Sequence, residues 1–512
     1  MIIKSLKIIN KYYLIYFSLI FLLILFTRYG YWNLTVIAGR WDEITYLLAG
    51  REITNGKIPY FDFWEIKTTI AFIPYIIANL FENKITSIRF LGSLSIFFSL
   101  IIFNYKIFKD LDKNKILILT IIFILLNSVE VYQSSGLTIF CYPLIFYSFF
   151  LTLEYKDNNY FKFLKLGFVV GILCLIRQNF YPIVLLNFLI FYIFYDKKYL
   201  LNKIAIYIFG GILSILTFLL PYIFIENGII TIYKSLILNS IAAGGLVDFI
   251  WNLREIIRYL LNDSLGIFFL ITTIFGFYLC LTKQHKKLRI SYILHVGYFL
   301  SIFLAFTGQF QLNNLIPSII ILLAYIIKDI NVINIDHDNN KSVNLLNSKL
   351  FLLLFILILI VPVILNSTVK IIKNNNIFAQ SNSKYFSYDN KNNTDQNLSA
   401  VYNIKKYIKK NDSIFSYDNF FYLLLDKELP TNILHPSIFF RLNTYKNIIN
   451  VADNTDQEFF NILSKKPKWL IIRKKAYENK LSNKIKSKIE SGWKRFDEQE
   501  GYHEQIIFII NN

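Results

Sequence analysis

Apolar runs long enough to cross a bilayer recur along the first two thirds of this chain, and that repetition limits the fold more than any other feature. A hydrocarbon core about 30 Å thick takes roughly 20 helical residues to cross. Backbone polar groups inside it must be satisfied within a helix or a closed barrel. Apolar stretches fall at 12–27, 86–108, 116–128, 136–153, 163–176, 180–195, 204–225, 264–282, 290–307, 312–327 and 350–366, separated by charged segments. Of the 512 residues, 55% are hydrophobic and only 17% charged, where a soluble protein carries about a quarter charged residues. The sequence therefore predicts an all-α polytopic membrane protein with about 11 transmembrane helices. Disorder, a collagen-like fibre and a disulfide scaffold are excluded.

Lys and Arg number 54 against 34 Asp and Glu, a net +20. No basic helix or stripe accompanies the excess, so nucleic acid is not the expected partner. The positive residues sit in short loops between apolar runs, as the positive-inside rule requires of cytoplasmic loops. Cys141, Cys174 and Cys280 all lie inside apolar runs without CxxC spacing and read as small core residues.

Orientation follows from charge and length. Lys4, Lys7 and Lys11 precede an apolar run with no small-x-small cleavage site, which reads as an uncleaved first helix with a cytoplasmic N-terminus. The stretch 70–81 is too short to span and reads as a helix lying at the outer surface. The loops at 106–115, 154–165, 196–203 and 283–289, rich in Lys and Arg, then face the cytoplasm of a multi-pass cell-membrane protein. Outside lie 30–85, the loop around Glu130, the region 226–263 with amphipathic pieces at Ile229–Leu238 and Phe249–Leu261, and everything after 367. The transmembrane module spans 1–366. Residues 367–397 are a polar linker. Residues 398–512 form a small extracytoplasmic α/β domain, with strands expected at 413–417, 468–473 and 505–510 and helices at 453–466 and 476–490. There is no P-loop, GxGxxG, HExxH or GxSxG.

The chemistry gathers in the first outer loop. Asp42 and Glu43 are adjacent, and apolar residues at helical spacing follow. The pair is expected to open an amphipathic helix on the membrane surface. Carboxylates there suit the helix macrodipole as a cap. At a membrane–water boundary a partly desolvated carboxylate also suits a general base. Residue pattern alone leaves both readings open. Downstream stands GKIPYFDFWEIK (56–67). Gly56 and Pro59 mark a turn; Tyr60, Phe61, Phe63 and Trp64 are interfacial aromatics; Asp62, Glu65 and Lys67 are charges beside them. Lys67 either snorkels or holds a lipid phosphate. Glu130, in the second outer loop, is an exposed carboxylate or a second acid of the site. Arg177 and Gln178 close a span on the outer face. An ionisable residue there is a functional candidate, and Arg suits phosphate; an interfacial anchor is the competing reading. Arg254 and Arg258 read as an exposed face or as headgroup contacts. His295 reads as a helix-packing residue.

The D-E-x-x-Y of Asp42–Tyr46, followed in the same loop by GKIPYFDFWEIK, resembles the first extracytoplasmic loop of GT-C glycosyltransferases. It is most similar to bacterial members of glycosyltransferase family 39, akin to protein O-mannosyltransferases and the aminoarabinose transferases of lipid A. The resemblance implies a GT-C fold and an inverting membrane glycosyltransferase. Such an enzyme moves a sugar from a polyprenyl-phosphate donor to a glycan, lipid or protein acceptor on the extracytoplasmic face. It implies that Asp42 is the general base, Glu43 its neighbour, and Lys67 the residue at the donor phosphate; Arg177 is a second candidate cation for that phosphate by its place at the outer end of a span, not by the resemblance. Glu65 falls near an acid that binds metal in some relatives, so the one cofactor the resemblance leaves open is a divalent metal. Glu130 and Gln178 are further substrate-site candidates. The chain departs from the family where prolines after the lysine are replaced by Thr68 and Thr69. The stretch GQFQLNNLIP (308–317) lacks the family's His and Tyr, and no site carries over from it. The alternatives are a polysaccharide polymerase or ligase, a lipid-linked glycan transporter and a membrane scaffold. Acids directly after the first span favour the transferase over a polymerase. A transporter would show mid-span charges and inverted repeats, and neither is visible.

Overall fold

The structure is a computed structural model that describes residues 11–28, 41–128, 136–154, 159–239, 249–262, 264–282, 285–304, 309–332, 401, 403–434, 439–440, 442–443, 445, 448, 450–452, 454–499 and 505–511. The described chain is mostly helical, with a four-stranded sheet near the C-terminus. It divides into two compact units, one of residues 1–31, 90–217 and 247–378, the other of 32–89, 218–246 and 379–512.

The first unit is a helical assembly whose helices follow the apolar runs. They include Lys11–Thr27, Lys113–Ser128, Leu137–Leu153, Tyr160–Ile176, Pro182–Phe194, Ser264–Thr282, Lys286–Phe303 and Ile316–Val332. The run at 350–366 lies outside the described residues. By length and hydropathy, Lys84–Ile107, Leu200–Ile223 and Gln311–Lys328 each suffice to cross a membrane. Their surroundings differ. Gln311–Lys328 is 94% buried and Leu200–Ile223 only 22%, so the former is a central helix and the latter peripheral. Ile208, Phe209, Ile212, Ile215 and Leu216 form an exposed apolar stripe on the peripheral helix, a surface suited to lipid rather than water. Several polar side chains inside this unit pair with one another. His295 is fully buried and hydrogen-bonds Thr273 and Ser318, each at 2.9 Å, as expected of a packing residue. Asp110, in the loop after Lys84–Ile107, takes Lys287 at 2.7 Å and Lys328 at 2.5 Å.

The second unit is built around the Trp41–Thr54 helix. The sequence predicts an amphipathic surface helix here; instead every residue from Glu43 to Glu52 is buried. Two elements cover it. On one side packs Ile73–Asn79, so close that a Cβ on Gly50 would meet the Tyr75 carbonyl at 2.6 Å. Asn79 ties the pair by donating to the Leu47 carbonyl at 2.9 Å. The other is the Asn419–Leu424 helix, where the Asn419 amide donates to Thr45 Oγ1 at 2.9 Å. The expected short helix at 70–81 appears as a 3-10 turn, Thr69–Phe72, and the seven-residue helix Ile73–Asn79. Together they reach about 18 Å, well short of a bilayer core about 30 Å thick, so this element is too short to cross.

The sheet orders its strands β1 (Ile414–Ser416), β2 (Trp469–Arg473), β4 (Gln505–Ile510) and β3 (Trp493–Gln499). β1 and β2 run parallel; the other pairs are antiparallel. A parallel pair needs a crossover, supplied here by the stretch that holds Asn419–Leu424 and Thr455–Ser464. The sequence predicts one helix over 476–490. The chain forms two, Lys474–Lys480 and Asn483–Gly492, because Ser482 is extended and its hydroxyl caps the second. β3 is absent from the sequence reading.

Candidate active site

The two adjacent acids have different fates. Glu43 is buried and accepts from Arg89 Nε at 3.0 Å; Arg89 is buried as well. Successive helical residues point about 100° apart, so Asp42 faces elsewhere, half-buried in the helix's first turn. Nothing in the sequence marked Arg89 as Glu43's partner.

The rest of this helix is locked by charge. Arg51 donates to the Tyr422 carbonyl at 2.9 Å and the Lys427 carbonyl at 2.8 Å, and pairs with Glu52 at 2.8 Å. Lys57 closes on Glu52 at 2.5 Å. Residues far apart in sequence thereby fix the entry to the loop.

The aromatic segment forms a tight turn. Gly56 holds φ +85, a left-handed conformation that favours glycine. Tyr60 also takes a positive φ of 71. Its N–H donates to the Phe63 carbonyl at 2.6 Å, and Asp62 accepts from Ile58 N–H at 2.6 Å. Trp64 then joins the C-terminal part of the unit as an isolated bridge. Its N–H donates to the Asn432 carbonyl at 2.6 Å, and its carbonyl accepts from Leu434 N–H at 3.2 Å. Its ring lies 5.5 Å from that of Tyr445.

Lys67, half-buried, is positioned through its backbone. The Tyr60 hydroxyl donates to the Lys67 carbonyl at 2.6 Å. Burial, with Tyr222 and Glu65 nearby, holds the Tyr60 hydroxyl well above its ordinary pKa, so it stays a donor. Thr69 hydrogen-bonds the Tyr222 hydroxyl. These two tyrosines constrain the segment that prolines would stiffen in the resembled family. Glu65 is buried, and one of its oxygens accepts its neighbour Ile66 N–H at 3.1 Å. Among the described residues no three His, Cys, Asp or Glu side chains come together as a metal-holding group.

Arg177 and Gln178 belong to the other unit. Arg177 ends the Tyr160–Ile176 helix in an extended conformation and leads into the 3-10 turn Gln178–Phe180, where Gln178 is half-buried. The Arg177 guanidinium donates to Gln311 Oε1 at 2.6 Å, to Asn179 Oδ1 at 3.4 Å and to Thr138 Oγ1, and lies over the Phe180 ring. All of these partners are neutral. Thr138 in turn donates to Asn314 at 2.9 Å. The sequence reading carried no site from 308–317, yet Gln311 and Asn314 complete this network. Glu130 lies outside the described residues. Arg254 and Arg258 are exposed on the Phe249–Asn262 helix, Arg258 pairing with Glu255 at 3.2 Å.

No protein-family model matches the sequence, and no curated protein matches it. In three dimensions the chain is similar to ArnT from Cupriavidus metallidurans bound to undecaprenyl phosphate. That similarity has a TM-score of 0.56 over 98% of this chain and 98% of that one, at 8% identity. The chain has the GT-C fold. The Archaeoglobus fulgidus oligosaccharyltransferase tethered to an acceptor peptide overlaps less, with a TM-score of 0.44 and 10% identity over 98% of this chain and 74% of that one. At such identities the likeness is one of fold. The roles of individual residues in this protein rest on its own geometry.

Proposed function

We propose that this membrane protein is an inverting glycosyltransferase that takes a sugar from a polyprenyl-phosphate donor on the extracytoplasmic face. The observation that carries the reading is the division between the two acids of the first loop. Arg89 neutralises Glu43 in the interior. Asp42, in the first turn of the helix, is the half-buried carboxylate of the pair, and a partly desolvated carboxylate suits a base. Asp42 would take the proton of the acceptor hydroxyl as that oxygen attacks the anomeric carbon. The bond from that carbon to the phosphate oxygen breaks, and the electron pair leaves with the polyprenyl phosphate. Lys67, in the same unit, would stabilise the developing phosphate charge. Arg177 is a second candidate anion site, a guanidinium whose partners are all neutral. Undecaprenyl phosphate bound to ArnT is a donor product of the chemistry this reading requires.

The proposed orientation has structural support. The Thr69–Asn79 element is too short to cross, which supports placing the Lys- and Arg-rich loops on one side. Trp64 and Arg51 bond directly to the C-terminal residues 422–434, which keeps the first loop and the C-terminal domain on the same side. Cysteine labelling at Ser383 and Asn202 in intact cells tests this: Ser383 should label from outside and Asn202 should not. The activity is tested by incubating purified protein with polyprenyl-phosphate sugars and, separately, with nucleotide sugars. Transfer from the lipid-linked donors alone is expected.

A further inference from the structure

The helix Gly228–Ile232 runs into a π-helical turn, Tyr233–Leu238, ending at Asn239. Such turns are rare and recur at functional sites. Thr231, Ser235 and Asn239 follow one another at four-residue spacing and are all buried, so they lie along one polar line on the inner face of a largely apolar segment. Among the described residues, Ser235 Oγ and both ends of the Asn239 amide have no hydrogen-bond partner. A buried polar group left unmet is destabilising, so three such atoms on two neighbouring side chains call for an explanation. The segment is tied to the catalytic loop: Trp64 Nε1 donates to the Ser235 carbonyl at 3.2 Å, one residue before Glu65 and three before Lys67. What the pair offers is an amide with donor and acceptor ends beside a hydroxyl, with no charge. That suits the hydroxyl groups of a sugar ring; an anion would find no cation in the pair.

We infer that Ser235 and Asn239 bind hydroxyls of the transferred sugar and set which sugar this protein accepts. The inference rests on the proposed glycosyltransferase reading and adds a specificity site to it. Asn239→Leu removes two unmet polar groups, so the variant should fold with an equal or higher thermal midpoint. Its kcat/KM for the preferred undecaprenyl-phosphate sugar should fall about 10- to 100-fold, as expected for lost buried hydrogen bonds. Preference among hexose, pentose and deoxyhexose donors should flatten. Binding of undecaprenyl phosphate without a sugar should not change. Ser235→Ala should act in the same direction more weakly. Saturation-transfer NMR with methyl glycosides supplies a readout independent of the lipid donor: wild type should contact its preferred glycoside and Asn239→Leu should not. Unchanged donor preference in Asn239→Leu, or equal glycoside contact in both proteins, would show that the pair has only a structural or water-binding role and overturn the inference. Glycoside contact that depends on Asn239, in a protein that binds no undecaprenyl phosphate, would instead refute the donor reading alone.

Discussion

Arg89 meets Glu43 at 3.0 Å with both side chains buried, so one of two neighbouring carboxylates is a structural element. Removing one member of such a pair strands the other's charge and costs about 3–5 kcal/mol, whereas replacing both by apolar side chains is often neutral. Arg89→Ala should lower the thermal midpoint of the detergent-solubilised protein sharply. Combining Glu43→Leu with Arg89→Met should recover most of it. Equal midpoints for wild type and Arg89→Ala would argue against a buried pair.

Arg51 is a second structural cation. Its guanidinium satisfies the carbonyls of Tyr422 and Lys427. Arg51→Ala leaves both without that donor, at about 1–3 kcal/mol each. Limited proteolysis should then cut the first loop and residues 422–434 faster than in wild type. Truncation before residue 401 should abolish turnover, since Trp64 loses its backbone partners at 432 and 434. Full activity in the truncated protein would contradict this arrangement.

Acid should loosen the C-terminal sheet through Asp412. Burial alone would raise its pKa, but hydrogen bonds from Trp469 Nε1 at 3.0 Å and Lys468 Nζ at 2.9 Å outweigh it, and the carboxyl sits below its ordinary value. A carboxyl with a depressed folded pKa adds stability above its unfolded pKa, about 3.9. That contribution fades as pH falls towards the folded value. Denaturation of the full protein followed from pH 7 to pH 3 should show a smaller acid-dependent loss in Asp412→Asn than in wild type.

Much of this architecture was legible in the sequence, and the exceptions have physical causes. Hydrophobic runs locate membrane helices because burial in lipid leaves little freedom in composition; the run at 86–108 became Lys84–Ile107. WLIIR reads as a strand because it is apolar and β-branched. β3 does not, because WKRFDEQ lacks apolar alternation and owes its extension to β4. The break at Ser482 was signalled by a cap residue inside an otherwise helical pattern. The acids at 42 and 43 could be located by pattern but not ranked, because Arg89 lies 46 residues away and only tertiary structure brings it near. Gln311 and Asn314 carry no family signature, since the stretch lacks the resembled family's His and Tyr, although a neutral amide is what Arg177 uses.

Arg177 should report an anion. Among the described residues its charge meets only neutral oxygens and a ring. Arg177→Met should weaken binding of polyprenyl phosphate about tenfold or more, the loss of a charge-assisted contact. Gln311→Leu, which removes one positioning acceptor, should do so less. Equal lipid-phosphate affinity in wild type and Arg177→Met would assign Arg177 to packing.

The most direct measurement is single-turnover sugar transfer from a polyprenyl-phosphate sugar by purified wild type and Asp42→Asn in nanodiscs, with thermal midpoints recorded alongside. Asp42→Asn keeps the shape of the side chain and removes its basicity. Expected for Asp42→Asn are an unchanged midpoint, unchanged donor binding and a rate lower by about two to four orders of magnitude. A folded Asp42→Asn protein that transfers at the wild-type rate, or a wild type that transfers from a nucleotide sugar alone, would contradict the proposed function.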